Sequence, residues 1–180
     1  GTWVRLITKI EDPEILNRGD GRFHPTRLGD VIGSLEAIPS AYLAGLELEI
    51  YILPFPRTGR VVSSAGEGAI YLSPGVREYE TRHVHFLLAH ETGHAVHRNY
   101  LPDEDQDGWS AYRWLRGISR DELFHAEAPH AYRPHEIFAE DFRVLFGGPL
   151  ARGRPSRGRS RASRSRDAAA RSRSSSNRRS

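Results

Sequence analysis

Two histidines four residues apart, His90 and His94, enclose Glu91-Thr92-Gly93 and form an H-E-x-x-H match. On a helix that spacing puts both imidazoles on one face, one turn apart, so a single cation can be reached by both. Glu91 then points to the adjoining edge, where a metal-activated water would lie. Imidazole and carboxylate donors suit zinc, and a catalytic zinc keeps one position open. The chain has no Cys, which excludes disulfides, thiolate ligands and thiol nucleophiles together. A third ligand must therefore be another His or a carboxylate.

The spacing discriminates among third ligands. The metzincin pattern requires Gly at position 97 and His at position 100, where this chain has His97 and Tyr100. A peptide-deformylase arrangement needs a Cys. A downstream carboxylate remains, and Glu136-Ile137-Phe138-Ala139-Glu140 begins 42 residues after His94 with two acids at i, i+4 on one helix face. One acid can ligate while the other holds a ligand His by its free ring nitrogen. His83, His85 and His97 read as packing or surface groups. A second, weaker signal for Ca2+ is Asp103-Glu104-Asp105-Gln106-Asp107-Gly108, the first half of a calcium loop. The closing Glu expected at loop position 12 is replaced by Trp114, so the stretch reads chiefly as an acidic loop whose Asp107 caps the next helix.

Around these residues the patterning places the elements. Residues 2–10 alternate as a first strand, and 26–46 carry apolar residues at helical spacing, divided by Pro39 into a helix and a turn or second short helix. Leu46, Leu48, Ile50 and Ile52 alternate as a half-buried strand, and 69–72 form a second short strand. A helix of about 25 residues is expected from Gly75, carrying the metal motif. Residues 101–108 read as a loop, 109–118 as a short helix, and 133–146 as a terminal helix stopped by Gly147-Gly148-Pro149. Strands precede helices, which predicts an α+β fold with a small mixed sheet.

Composition divides the chain of 180 residues in two. Residues 151–180 hold 11 Arg and 9 Ser against one acid, Asp167, leaving a balance of −7 on the other 150 residues. Residues 1–148 are therefore expected to be the folded domain and 149–180 a disordered Arg/Ser-rich tail, since the tail has no aromatic or β-branched residue to bury. Such a tail could attract polyanions, but the acidic body opposes nucleic acid, and a solvated linker is the simpler reading. No stretch is long and apolar enough to span a membrane, and no export signal is visible. The chain starts at Gly1 and contains no Met, which reads as an excised domain or a processed product.

His90-Glu91-Thr92-Gly93-His94 followed by Glu136-Ile137-Phe138-Ala139-Glu140-Asp141-Phe142-Arg143 resembles the gluzincin metallopeptidases related to the anthrax toxin lethal factor catalytic domain and to the proline-proline endopeptidases. The likeness spans residues 68–147. It implies a zincin-like domain and one Zn2+ held by His90, His94 and Glu136. It also implies hydrolysis of a protein or peptide substrate by a metal-activated water with Glu91 as general base. Glu140 would hold a ligand His. The family carries a catalytic Tyr seven residues before its ligand Glu. Position 129 here is Pro, and the nearest Tyr is Tyr132, four residues before Glu136; His125 and His130 are rival donors. The strand before the metal helix, residues 68–73, is expected to form the edge of the cleft and pair with an extended substrate. Secretion fits such a family, though no signal in the chain argues for it. A catalytically inactive peptidase-like binding or scaffold domain is the competing reading, and oligomeric state is left open.

Overall fold

In the computed structural model residues 6–57, 59 and 62–153 are described. The start of the expected first strand, at 2–5, and the Arg/Ser-rich stretch from 154 lie outside them. The described residues give an α+β arrangement of six helices and one three-stranded sheet. In chain order these are α1 (Leu28–Glu36), α2 (Ser40–Leu43), β1 (Glu49–Ile52), β2 (Ser64–Gly66), β3 (Ala69–Leu72), α3 (Thr81–Tyr100), α4 (Gln106–Arg116), α5 (Pro134–Phe146) and α6 (Gly148–Arg152), with a 3-10 turn at His130–Tyr132. No helix among the described residues is long and apolar enough to cross a membrane.

The spine is α3, which is buried along most of its length because the core lies on both sides of it. On one side Val84 and Leu88 pack with Val31 of α1 and with Ile70 and Leu72 of β3. On the other, Ala89 and Val96 pack with Ile38, with Phe142 of α5 and with Ala151 of α6. A helix burying two faces leaves little room for a solvated stripe, and its polar residues at the second interface are held close to one another. The α3 and α5 backbones approach closely at Gly93. A Cβ there would lie 2.8 Å from the Ala139 Cα and 2.9 Å from the Ala139 oxygen. Small residues on both helices therefore set the crossing point.

Several boundaries differ from the pattern-based expectation for identifiable reasons. The helix expected from Gly75 starts at Thr81, because the Gly75 backbone bonds to His24 in both directions, at 2.8 and 3.0 Å, and is committed to a bridge. Beyond residues 2–5, the expected first strand is reduced to a Leu6–Arg57 bridge, and Ile7, Ile10 and Ile15 are buried as an irregular cover. The α4 cap is Asp105, whose side chain accepts from the Gly108 N–H at 2.9 Å, rather than Asp107. The chain also does not leave the body at 148: α6 follows, Ala151 is fully buried, and its carbonyl accepts from Arg143. The folded region thus reaches at least Arg152.

Strand order is β1-β3-β2, with β1 parallel and β2 antiparallel to β3. Residues 69–72 are therefore central and paired on both sides, which removes the expectation that 68–73 form the cleft edge. The three-residue β2 was not anticipated, since Ser-Ala-Gly carries no strand patterning. It is an edge of the sheet, and Arg98 of α3 donates to its Gly66 carbonyl.

Candidate metal centre

Gly93 and Ala139 meet at the crossing, so the residues flanking them face each other. His90 and His94 lie on either side of Gly93, and Glu136 and Glu140 on either side of Ala139. Pro134 in the first turn of α5 starts the helix just before Glu136. One oxygen of Glu136, Oε2, lies 3.2 Å from His90 Nε2, 3.4 Å from His94 Nε2 and 3.2 Å from His130 Nε2. His90, His94 and Glu136 thus offer ligand atoms within 4.8 Å of one another. Two neutral imidazoles and one carboxylate are the donor types zinc takes in open catalytic sites, and no Cys competes.

The other ring nitrogen of His90, Nδ1, faces Glu140 Oε2 at 3.6 Å. Glu140 is in turn gripped by Arg143, whose Nε donates to it at 2.8 Å and whose second nitrogen donates to its other oxygen. Arg143 is 2% exposed, also donates to the Ala151 carbonyl, and its guanidinium lies 4.2 Å from the Phe86 ring centroid. A chain runs from α6 through Arg143 and Glu140 to His90, and it orients the imidazole. Burial lowers the proton affinity of His90, but the Glu136 bond and the charges of Glu91, Glu136 and Glu140 outweigh it, leaving its pKa raised. The Glu136 carboxyl is held far below the usual range: its hydrogen bonds to His90 and His94 overcome the opposing effect of burial.

Glu91 is 6% exposed on the β2 side of α3. Burial raises its pKa, opposed by His94, His90 and the Ala65 backbone N–H. A cleft of about 460 Å³ opens beside the centre, lined by Phe86, Leu87, His90, His130, Glu136 and Ile137 among others.

The structure brings together four of the anticipated residues: His90, His94, Glu136 and Glu140, with Glu91 at their edge. Tyr132 is not joined to them by any hydrogen bond or ion pair among the described residues. It is 49% exposed with its ring against Phe124, centroids 5.8 Å apart. The same 3-10 turn instead delivers His130 to Glu136. Asp141 is occupied elsewhere, accepting from Tyr112 at 3.0 Å and Arg116 at 2.7 Å. Arg143 carries little signal in the sequence, since a lone Arg on an amphipathic helix is usually solvated; its spacing of three residues from Glu140 is the available hint. The acids of the calcium-like stretch do not converge: Asp105 caps α4 and Asp103 faces His135.

No protein-family model, no curated protein and no solved structure matches this chain. The gluzincin likeness therefore stands on the residues themselves.

Proposed function

We propose that this protein is a zinc-dependent endopeptidase of the gluzincin kind, with a zincin-like fold. The observation that carries the reading is the convergence of His90 Nε2 and His94 Nε2 on Glu136 Oε2, with buried Glu91 next to His90 and a cleft lined by His90 and Glu136. A mixed sheet ahead of the H-E-x-x-H helix, and a second helix bearing the third ligand, support the fold assignment.

His90, His94 and Glu136 would hold the ion. When bound, it supplies Lewis-acid polarisation of the scissile carbonyl and acidifies water. Glu91 accepts a proton from the attacking water and returns it to the leaving amine; a carboxyl whose proton affinity is raised by burial suits both halves of that task. His130, 70% exposed on its short turn, lines the cleft and would serve as the hydrogen-bond donor to the developing oxyanion in place of Tyr132. Glu140 and Arg143 keep His90 in one orientation. An extended substrate would lie along the outer edge of β2 rather than β3, where it would displace Arg98 from the Gly66 carbonyl, at 3.1 Å, and Glu91 from the Ala65 N–H.

The test is metal analysis of the full chain, together with cleavage of an unstructured peptide library with and without chelator. Chelator-sensitive cleavage by zinc-loaded protein is expected, and is lost in Glu91→Gln. Stoichiometric zinc with no cleavage of any peptide would favour the inactive binding-domain reading.

A further inference from the structure

The histidine stripe on α3 does not end at His94. At 100° per residue, His97 falls about 20° from His90 on the side away from His94, and roughly one turn beyond His94 along the same face. The α5 helix runs antiparallel across this stripe, so Glu140 meets His90, Glu136 meets His90 and His94, and His135 meets His97. The ring centroids of His97 and His135 are 4.9 Å apart. His135 Nε2 lies 3.0 Å from Oδ1 of Asp103, which arrives from the loop between α3 and α4. One ligand atom from each of His97, Asp103 and His135 lies within 4.8 Å of the other two.

We propose that His97, Asp103 and His135 form a second transition-metal site, separate from the His90–His94–Glu136 centre and occupied by zinc. Two imidazoles and one carboxylate select zinc and its neighbours over calcium, which takes oxygen ligands. His97 is 3% exposed, and its Nδ1 is buried with no hydrogen-bond partner. A histidine kept only for packing is ordinarily satisfied by a neighbouring polar group, and here a ligand atom of His97 lies within 4.8 Å of those of two further metal-ligating side chains, Asp103 and His135. The Trp109 ring walls the site, 5.7 Å from the His97 ring and 4.8 Å from that of His135 by centroid, which shields it from water on that side. Asp103 is exposed and gives an ion its way in.

None of the three residues serves the first centre, so the proposal does not depend on peptide hydrolysis. A cation here would tie the end of α3, the following loop and the first turn of α5 into one unit, a structural role.

The test is equilibrium dialysis of the full chain against free Zn2+ buffered in the low micromolar range, with metal counted by mass spectrometry. Wild type should hold two zinc ions per chain. Asp103→Asn/His135→Gln, in which Asp103 is exposed and His135 partly exposed, should hold one, with affinity at the second site reduced about 100-fold. His90→Gln/Glu136→Gln should also hold one, and its melting temperature should rise with added Zn2+. That rise should vanish when all four substitutions are combined. Saturation of wild type at one zinc while the Asp103→Asn/His135→Gln protein also holds one would overturn the proposal. So would retention of two ions by the Asp103→Asn/His135→Gln protein.

Discussion

Replacing Gly93 by Ala tests whether the helix crossing positions the centre. The added Cβ would sit 2.8 Å from Ala139 Cα, 2.9 Å from Ala139 O and 3.1 Å from Phe142 Cβ. Two of these atoms are backbone and cannot rotate away. Restoring an ordinary carbon–carbon contact of about 3.5 Å requires α3 and α5 to part by roughly 0.7 Å. Overpacking of this kind costs about 1–3 kcal/mol, and the better helix propensity of Ala returns up to about 1 kcal/mol. A net loss of about 1–2 kcal/mol corresponds to a fall in melting temperature of roughly 2–8 °C. The larger effect falls on the metal, because Glu136 rides on α5 while both histidines ride on α3. A displacement of that size exceeds the tolerance of about 0.2 Å in zinc–ligand distance, so zinc affinity should fall about tenfold or more. Gly29→Ala is the control: it lies on the exposed side of α1 with nothing within 4 Å of the new Cβ, and it should gain about 0.4–1 kcal/mol with zinc binding unchanged. Thermal melts and zinc titrations of both variants decide the matter. Unchanged zinc affinity in Gly93→Ala would refute the claim that the Gly93–Ala139 approach sets the ligand geometry.

Four further outcomes are expected. Glu91→Gln should keep the fold and the zinc while peptide hydrolysis falls at least about 100-fold, and wild-type turnover would remove Glu91 as the base. Glu136→Ala should lose zinc from the first centre at fixed free metal; full occupancy there would move the third ligand to Glu140. His130→Ala should lower turnover by about 10²–10³ with zinc retained, whereas Tyr132→Phe should leave it nearly unchanged, and the opposite ranking would restore Tyr132 as the oxyanion donor. A chain ended after Gly153 should melt like the full chain, whereas one ended after Leu150 strips Arg143 of the Ala151 carbonyl and should lose about 1–3 kcal/mol; equal melting of the two would place the boundary nearer 148.

What was legible in the sequence was local. The i, i+4 pairs at 90/94 and 136/140 depend only on helix geometry, and the structure keeps both. Of the alternating Leu46, Leu48, Ile50 and Ile52, the last two fall in β1, which starts only at Glu49, and Pro39 divided α1 from α2 as its ring requires. What stayed hidden depends on which element lies beside which. The centrality of β3 comes from a three-residue partner, too short and too small in side chain to carry a pattern. The late start of α3 follows from a backbone bridge to His24, some fifty residues away in sequence. Gly147-Gly148-Pro149 looked like a terminus because Gly and Pro end helices. Here Gly148 takes φ +76° at a sharp corner, and Pro149 sits in the first turn of a new helix.

The antiparallel register of α3 and α5 explains why the site could be guessed in part and not in whole. A motif fixes which face of its own helix is chemical; it says nothing about which residue of a second helix arrives opposite. That choice is made by apolar and small residues. Gly93 lets Ala139 in, and a Cβ on Gly147 would lie 2.7 Å from the Ala89 Cβ, so close approaches at the middle and at the C-terminal end of α5 leave little freedom to slide. With the register set, each polar residue along α3 receives its partner from α5 in reverse order. A shift of one turn would carry Glu136 away from His94 and leave Glu140 and Arg143 without His90. Residues with no chemistry of their own therefore decide the ligand set. The same register brings His135 to His97, so one packing interface assembles both clusters.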